Sequence, residues 1–246
     1  MMRKLLLVSV LAMTFAVASS QDSPARDELK YPEPILDESW QLVHMKHNCS
    51  NHNVYVYKDK LYDALFTRTL GWNGGDGVET TLLPGGHLFW SFNDSFYGTV
   101  QKSLRSRISS KNNFPRNTIM VQKAGADGKP SSEQESLIWL ADFVQTTNSS
   151  RDDYYKARTY IRHPKGEKSD AQIAAGDIDQ QYLYWAGDGT VVDGQLQVLW
   201  AGVYNGTENL MQADNRALAI YSLEGEPGDE SYLKLISVDH NFFEYD

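Results

Sequence analysis

Short apolar and aromatic runs, separated by glycine-rich turns, make up the chain from residue 71 onward. The runs NTIMVQ (117–122) and SLIWLADFV (136–144) are rich in the β-branched and aromatic residues that strands favour. ETTLL and HLFWSF flank Pro84, Gly85 and Gly86, and this punctuation predicts a β-hairpin. The polar region 145–175 predicts a long loop with one short helix. Because no long stretch has helical periodicity, the chain is predicted to be all-β.

A pattern of about four strands occurs twice, at about residues 71–144 and 178–240. Trp72 begins the first copy with WNGGDG, and Trp185 begins the second with WAGDG. In both copies Gly-Asp-Gly precedes two β runs that a glycine turn separates, so Asp76 and Asp188 occupy the same place. Repeated four-stranded units are typical of β-propeller blades. A β-sandwich built by duplication is the alternative architecture.

Two aspartates of the first copy are predicted to face each other. A hairpin centred on Gly85 places Asp76 opposite Asp94, with their Cβ atoms about 4.5–5.5 Å apart. Two close carboxylates push one pKa upward. Since this produces one acid and one base from the same residue type, the pair suits glycoside hydrolysis. In the second copy Gly202 stands at the position of Asp94, so the second acid is specific to the first copy.

Each of these aspartates also has a structural interpretation. Asp76 and Asp188 precede glycine, as turn-forming aspartates do, and Asp94 within the sequence NDS fits an Asx turn. A further hypothesis is a cation site formed by the two carboxylates of the first copy.

Five other residues are candidates for binding a sugar. Arg116 and Asn117 would hydrogen-bond hydroxyl groups, Trp72 and Trp185 would stack on a ring face, and Asp188 belongs to the second Gly-Asp-Gly. The alternatives are a strand-entry pair for the first two and core packing for the tryptophans. The motifs G-x-S-x-G, H-E-x-x-H and the P-loop do not occur in the sequence, and no metal site is predicted.

The ends of the chain and its charge limit the classes of function. Residues 1–20 have two basic residues, an apolar run and small residues, which predicts a signal peptide and a secreted or periplasmic protein. Residues 21–35 are a polar, proline-containing leader, and residues 36–246 are predicted to form a single domain. A net charge of −9 without a basic cluster argues against nucleic acid as a partner, and no segment is predicted to insert into a membrane.

The stretch GWNGGDG…LPGGHLFWSFNDSFYG…FPRNTIMV, together with YWAGDGTVVDGQLQV, resembles exported bacterial proteins that are grouped as domains of unknown function. That group is similar to the endo-D-arabinanase family and, more distantly, to the five-bladed β-propeller arabinanases, xylosidases and levanases. The resemblance implies a five-bladed-type β-propeller with Asp76 and Asp94 at the mouth of its central funnel. Asp76 would act as nucleophile or base and Asp94 as acid.

The function implied by this resemblance is that of a secreted glycoside hydrolase acting on a polysaccharide or oligosaccharide. No cofactor is required, and a structural calcium ion on the propeller axis is left open, as is the oligomeric state. The chain is short for five blades, so the propeller is expected to be incomplete at its C-terminus. A non-catalytic carbohydrate-binding or surface-interaction propeller, or an inactive truncated relative, is therefore the alternative.

Overall fold

Antiparallel strands dominate the part of the chain that the computed structural model describes. That part comprises residues 37–43, 56–101, 106–107, 114–140, 142–145, 155–177, 181–206 and 211–243. The predicted signal peptide and the leader lie outside it. Residues Ser39–Asp246 form one compact unit.

Sixteen strands and two short α-helices are formed by the described residues. In chain order they are β1 (Trp40–Val43), β2 (Val56–Asp59), α1 (Lys60–Phe66), β3 (Trp72–Gly75), β4 (Glu79–Leu82), β5 (Leu88–Phe92), β6 (Ser95–Tyr97), β7 (Val100–Gln101), β8 (Ser106–Arg107), β9 (Thr118–Gln122), β10 (Leu137–Leu140), β11 (Phe143–Gln145), β12 (Tyr155–Ala157), α2 (Asp170–Ala174), β13 (Tyr182–Val192), β14 (Gln195–Asn205), β15 (Met211–Leu223) and β16 (Tyr232–Asp239).

The predicted hairpin has the predicted register. Thr80 pairs with Trp90 and Leu82 with Leu88, so the hairpin is centred on Gly85. The same register continues farther from the turn, where Gly75 of β3 pairs with Ser95 of β6. Strand β5 then pairs with β9, and β9 with β10, which completes a four-stranded sheet in the order β4-β5-β9-β10, the first sheet.

The second copy of the repeat contains a matching sheet. Strands β13, β14, β15 and β16 pair in sequence order, and all three pairings are antiparallel. We call this the second sheet. The prediction of an all-β fold is confirmed, and each copy of the repeat contributes one four-stranded sheet. None of the sheets formed by the described residues closes on itself, so the five-bladed ring stays a prediction.

Both faces of the first sheet are covered, because its residues alternate between two cores. One face packs on the second sheet, with the fully buried Phe89 of β5 against Tyr221 of β15 at a ring-centroid distance of 6.1 Å. The other face packs under α1. This second core consists of Leu65, Trp72, Phe92, Met120 and Leu137.

The polar region between 145 and 175 contains more structure than a loop. The predicted short helix is α2, which Ser169 and Gln172 begin with reciprocal side-chain hydrogen bonds, a capping box. The sequence pattern missed β12, whose three residues pair with β11. A strand of this length has too few residues to show an alternating pattern.

Candidate active site

Asp94 lies between β5 and β6, where Ser95 anchors the chain to the start of β9. The Ser95 side chain is fully buried, and its hydroxyl lies 2.9 Å from the hydroxyl of Thr118. Its backbone N–H donates to the carbonyl oxygen of Pro115 at 2.9 Å. These bonds bring the residue after Pro115, Arg116, against the carboxylate of Asp94. Ser95 is therefore a positioning residue for the segment that carries Asp94.

The carboxylate of Asp94 is held by one cation and one indole. Arg116 Nε lies 3.3 Å from Oδ1, and Trp185 Nε1 donates to the same oxygen at 3.3 Å. The Asp94 side chain is 19% exposed and that of Arg116 9% exposed, so the pair is largely shielded from water. Both contacts fall on Oδ1 and involve side chains, whereas an Asx turn would use a backbone N–H.

Burial is the main influence on the acidity of Asp94. Loss of hydration raises the pKa of its carboxyl above the usual value, and the charge of Asp76 adds to this rise. The Arg116 guanidinium and the Trp185 hydrogen bond act in the opposite direction and lower the pKa. Because burial outweighs them, Asp94 holds a proton at a higher pH than an exposed aspartate does.

The backbone of Asp76 lies opposite that of Asp94 across the two strands. The close approach of the two carboxyl groups stays a prediction. The backbone N–H of Asp76 donates to the Asp94 carbonyl at 3.1 Å, and its carbonyl accepts from Asn93 N–H at 2.9 Å. Asp76 therefore opposes two residues, a bulge-like arrangement that bends the strands and re-aims side chains. The Asp76 side chain is exposed, so the pair consists of one half-buried and one open carboxyl group.

Gly77 leaves the space that the side chain of Asn93 occupies. A Cβ atom on Gly77 would lie 1.7 Å from Asn93 Nδ2, and the backbone φ of Gly77 is +53°. The Asn93 amide then reaches the second sheet, where its Oδ1 accepts a hydrogen bond from Ala186 N–H at 2.6 Å. This contact places the neighbouring Trp185 beside Asp94.

The two copies of the repeat are not equivalent at the aspartates. In the second sheet Tyr184, not Asp188, pairs with Gly202. Asp188 lies in a bulge between Ala186 and Gly189, and its Oδ1 accepts from the next backbone N–H. The equivalence that the sequence predicted for Asp76 and Asp188 is therefore wrong at the level of register, because the second hairpin is shorter.

Two predicted sugar-binding residues lie in the interior. Trp72 is 5% exposed and stacks on Trp139 with ring centroids 4.7 Å apart. Asn117 is 0% exposed, and its amide group makes three hydrogen bonds to the backbone of Ile161 and Tyr184. Both match the structural alternatives, packing and strand entry. Asn117 directly precedes β9, and its hydrogen bond to the carbonyl oxygen of Tyr184 connects this part of the chain to β13.

Trp185, Arg116 and Asp188 remain as candidates for ligand contact. Trp185 and Arg116 surround Asp94, and the exposed Asp188 lies farther along β13. Among the residues whose positions are described, no group of three or more His, Cys, Asp or Glu side chains could hold a metal ion. No helix in the same residues is long and apolar enough to cross a membrane.

Comparison with known proteins places the chain in a family. The model of DUF5005, a domain of unknown function, matches residues 59–246. The chain is also similar to a crystal structure of a candidate hydrolase from Bacteroides ovatus ATCC 8483, with 52% sequence identity and a TM-score of 0.74. That match covers 89% of this chain and 52% of the other, so this chain spans about half the length of that protein. No curated protein matches.

The family description agrees with the resemblance to a group of domains of unknown function, and it names neither an arabinanase nor a propeller. The match extends over both copies of the repeat and includes Asp76, Asp94, Arg116 and Trp185. The chain belongs to the DUF5005 family.

Proposed function

We propose that this protein is a glycoside hydrolase that cleaves a polysaccharide or oligosaccharide, with Asp94 as the proton donor. The observation that carries the proposal is the pairing of a half-buried carboxyl group, whose pKa is raised, with an exposed carboxylate on the opposite strand. Glycosidases need such unequal acids. The similarity to a candidate hydrolase supports the broader class, hydrolysis.

Asp94 is suited to protonate the leaving group. Oδ1 faces Arg116 and Trp185, and Oδ2 takes part in neither contact, so Oδ2 is the oxygen that would carry the proton. It would pass the proton to the glycosidic oxygen as the bond to the anomeric carbon breaks. Arg116 and the Trp185 N–H would then stabilise the carboxylate that forms.

Asp76 is suited to act on the other side of the sugar. Its exposed carboxylate would either attack the anomeric carbon or take a proton from an attacking water molecule. If Asp76 activates water, the glycosidic C–O bond breaks as the bond from the water oxygen to the anomeric carbon forms. If Asp76 is the nucleophile, a glycosyl ester of Asp76 forms as the glycosidic bond breaks, and water then cleaves that ester. In both cases the water supplies the new hydroxyl group, and its other proton restores the protonation of the carboxyl pair. A secreted or periplasmic location and a propeller-type ring of blades belong to the same proposal, and both fit a polymer substrate.

Activated substrates would separate the roles of the two aspartates. Wild type, Asp94→Asn and Asp76→Asn are first screened against polysaccharides. The sugar that is released identifies which dinitrophenyl glycoside to test next, because the leaving group of such a substrate needs no protonation. We expect Asp94→Asn to lose about 10²–10⁴-fold in polysaccharide turnover. It should keep turnover of the activated glycoside, whereas Asp76→Asn should lose both.

The matched control is Asp127→Asn, an exposed aspartate in a turn of the first copy, which should behave as wild type. Equal losses on both substrates for Asp94→Asn would contradict its role as acid. Binding without turnover by the wild type would replace the hydrolase with the non-catalytic carbohydrate-binding alternative.

A further inference from the structure

A pocket of about 580 Å³ lies on the second sheet, where strands β13, β14 and β15 line it. Strand β14 supplies Leu199 and Ala201, which alternate with the core residues Val198 and Trp200 and so point away from the shared core. The other lining residues are Gly187, Asp188, Ala213, Asp214, Arg216 and Phe243, with Trp200 at the base.

Two β-bulges present carboxylates to this pocket. On β13, Gly187 and Asp188 together oppose the single residue Leu199. On β15, Asp214 and Asn215 together oppose Gly202. A bulge bends its strand and re-aims a side chain. The paired bulges flank β14 and turn one aspartate from each side toward the same space.

Gly202 is required for the second bulge. A Cβ atom there would lie 2.1 Å from the side-chain oxygen of Asn215 and 2.7 Å from its carbonyl oxygen. The glycine that replaces Asp94 in the second copy thus makes room for Asn215. The absence of a carboxylate at this position is explained by close packing, and Asp214 takes the exposed position beside it.

The side chain of Asp214 is contacted by His163 and Lys165. His163 is buried, and its Nδ1 accepts the backbone N–H of Lys165 at 3.1 Å. Its proton is therefore on Nε2, which lies 3.0 Å from Asn215 Oδ1 and 2.9 Å from Asp214 Oδ2. Lys165 Nζ lies 3.2 Å from both carboxylate oxygens. The Asp214 side chain is consequently oriented before any ligand arrives.

One cross-strand row joins the pocket to the proposed acid. Trp185 pairs with Ala201, and Ala201 pairs with Arg216, so these three side chains share a face. Trp185 contacts Asp94, and Arg216 lines the pocket. Neighbouring strands are about 4.8 Å apart, which places the backbone of Arg216 roughly 10 Å from that of Trp185. A chain of sugar units bound at Asp94 would extend over this row.

We infer that the pocket is a binding site for an uncharged sugar residue of the polymer that the proposed hydrolase cleaves; the inference rests on that proposed function. Asp188 and Asp214 would accept hydrogen bonds from adjacent hydroxyl groups, and Arg216 would donate to a ring or hydroxyl oxygen. The exposed ring of Phe243 offers an apolar surface for the sugar face. The charges of Asp188 and Asp214 are balanced by Arg216 and by Lys165 beside Asp214, so the pocket has no excess of cations to bind a uronic acid, and the substrate class is a neutral glycan.

Calorimetric titration measures binding, and the Asp94→Asn protein is used so that ligand is not consumed. The probes are short fragments of neutral glucans, mannans, xylans, arabinans and fructans, with oligogalacturonates as the acidic comparison. In this background Asp188→Asn, Arg216→Ala and Phe243→Ala should each weaken binding of the neutral fragment about tenfold or more. Asp188→Asn keeps the oxygen that accepts from Gly189 and changes only the charge.

The controls are close neighbours outside the pocket. Asp193→Asn changes an exposed aspartate at the tip of the same hairpin, and Ile236→Ala removes an exposed apolar side chain of β16 that does not line the pocket. Both should bind as the Asp94→Asn protein does. Thermal unfolding of every variant identifies any that fails to fold.

The inference and the proposed function can fail separately. The same three pocket substitutions are also made in the wild-type background, and turnover that they leave unchanged would overturn the pocket and keep the hydrolase. Pocket-dependent binding without turnover by wild type would keep the pocket and overturn the hydrolase. Tighter binding of oligogalacturonates, or no binding of any neutral fragment, would overturn the inference.

Discussion

The side-chain oxygen of Asn93 accepts a hydrogen bond from the backbone N–H of Ala186 at 2.6 Å, and this bond joins the two four-stranded sheets beside Asp94. Asn93 precedes the proposed acid, and Ala186 follows Trp185, which donates to that acid. One contact between sheets therefore sets the position of both members of the Asp94–Trp185 hydrogen bond.

Removal of this contact should loosen the site. Asn93→Ala leaves the Ala186 N–H without its partner, which we expect to cost about 1–3 kcal/mol of unfolding free energy. Urea denaturation measures this, and Asn241→Ala, at an exposed position, is the control. The Trp185 hydrogen bond should weaken as well, so tryptophan fluorescence of the folded variant should change. Unchanged stability and fluorescence would show that the bond does not hold the sheets together.

Gly77→Ala should lower the free energy of unfolding far more than Gly128→Ala does. Both glycines have positive φ, +53° and +72°, so alanine at either costs about 1–2 kcal/mol of backbone strain. At Gly77 the new Cβ would also lie 1.7 Å from Asn93, whereas at Gly128 nothing lies within 4 Å. The difference between the two variants in unfolding free energy isolates the steric cost. Equal destabilisation would mean that Asn93 moves aside freely.

The stability of Asp94→Asn relative to wild type should depend on pH. Burial raises the pKa of Asp94 in the folded protein, so the unfolded chain releases this proton first as the pH rises. Wild type should therefore lose stability relative to the variant from about pH 4, the unfolded pKa, upward through the folded pKa. Below about pH 4 the difference should be constant. Chemical denaturation of both proteins over this range measures it, and the opposite slope would mean that Arg116 outweighs burial.

The Ser95 hydroxyl should matter for activity as well as for stability. Ser95→Ala leaves the buried Thr118 hydroxyl without this partner and should cost about 1–3 kcal/mol. Ser95 holds the segment that carries Asp94 against Arg116. In Ser95→Ala, the pH at which the hydrolysis rate falls on the alkaline side should therefore shift. Ser222→Ala, whose serine only accepts from a nearby backbone N–H, is the control. A stability loss with an unchanged pH profile would reduce Ser95 to a packing role.

The sequence by itself determined the local geometry of the first copy. Alternation of side chains and a turn centred on Gly85 were sufficient to pair Thr80 with Trp90 and to set Asp76 opposite Asp94, because hairpin register depends on residues close in the chain. The four-stranded units were predicted from the repetition of one pattern in the two copies. The tertiary structure decided what surrounds the acid. Arg116 and Trp185 reach Asp94 from other strands, and Trp72 and Asn117 enter the core, because these contacts join residues far apart in sequence. Only the folded chain shows the bulges that turn Asp188 and Asp214 toward one pocket, since a bulge has no periodic signature in the sequence.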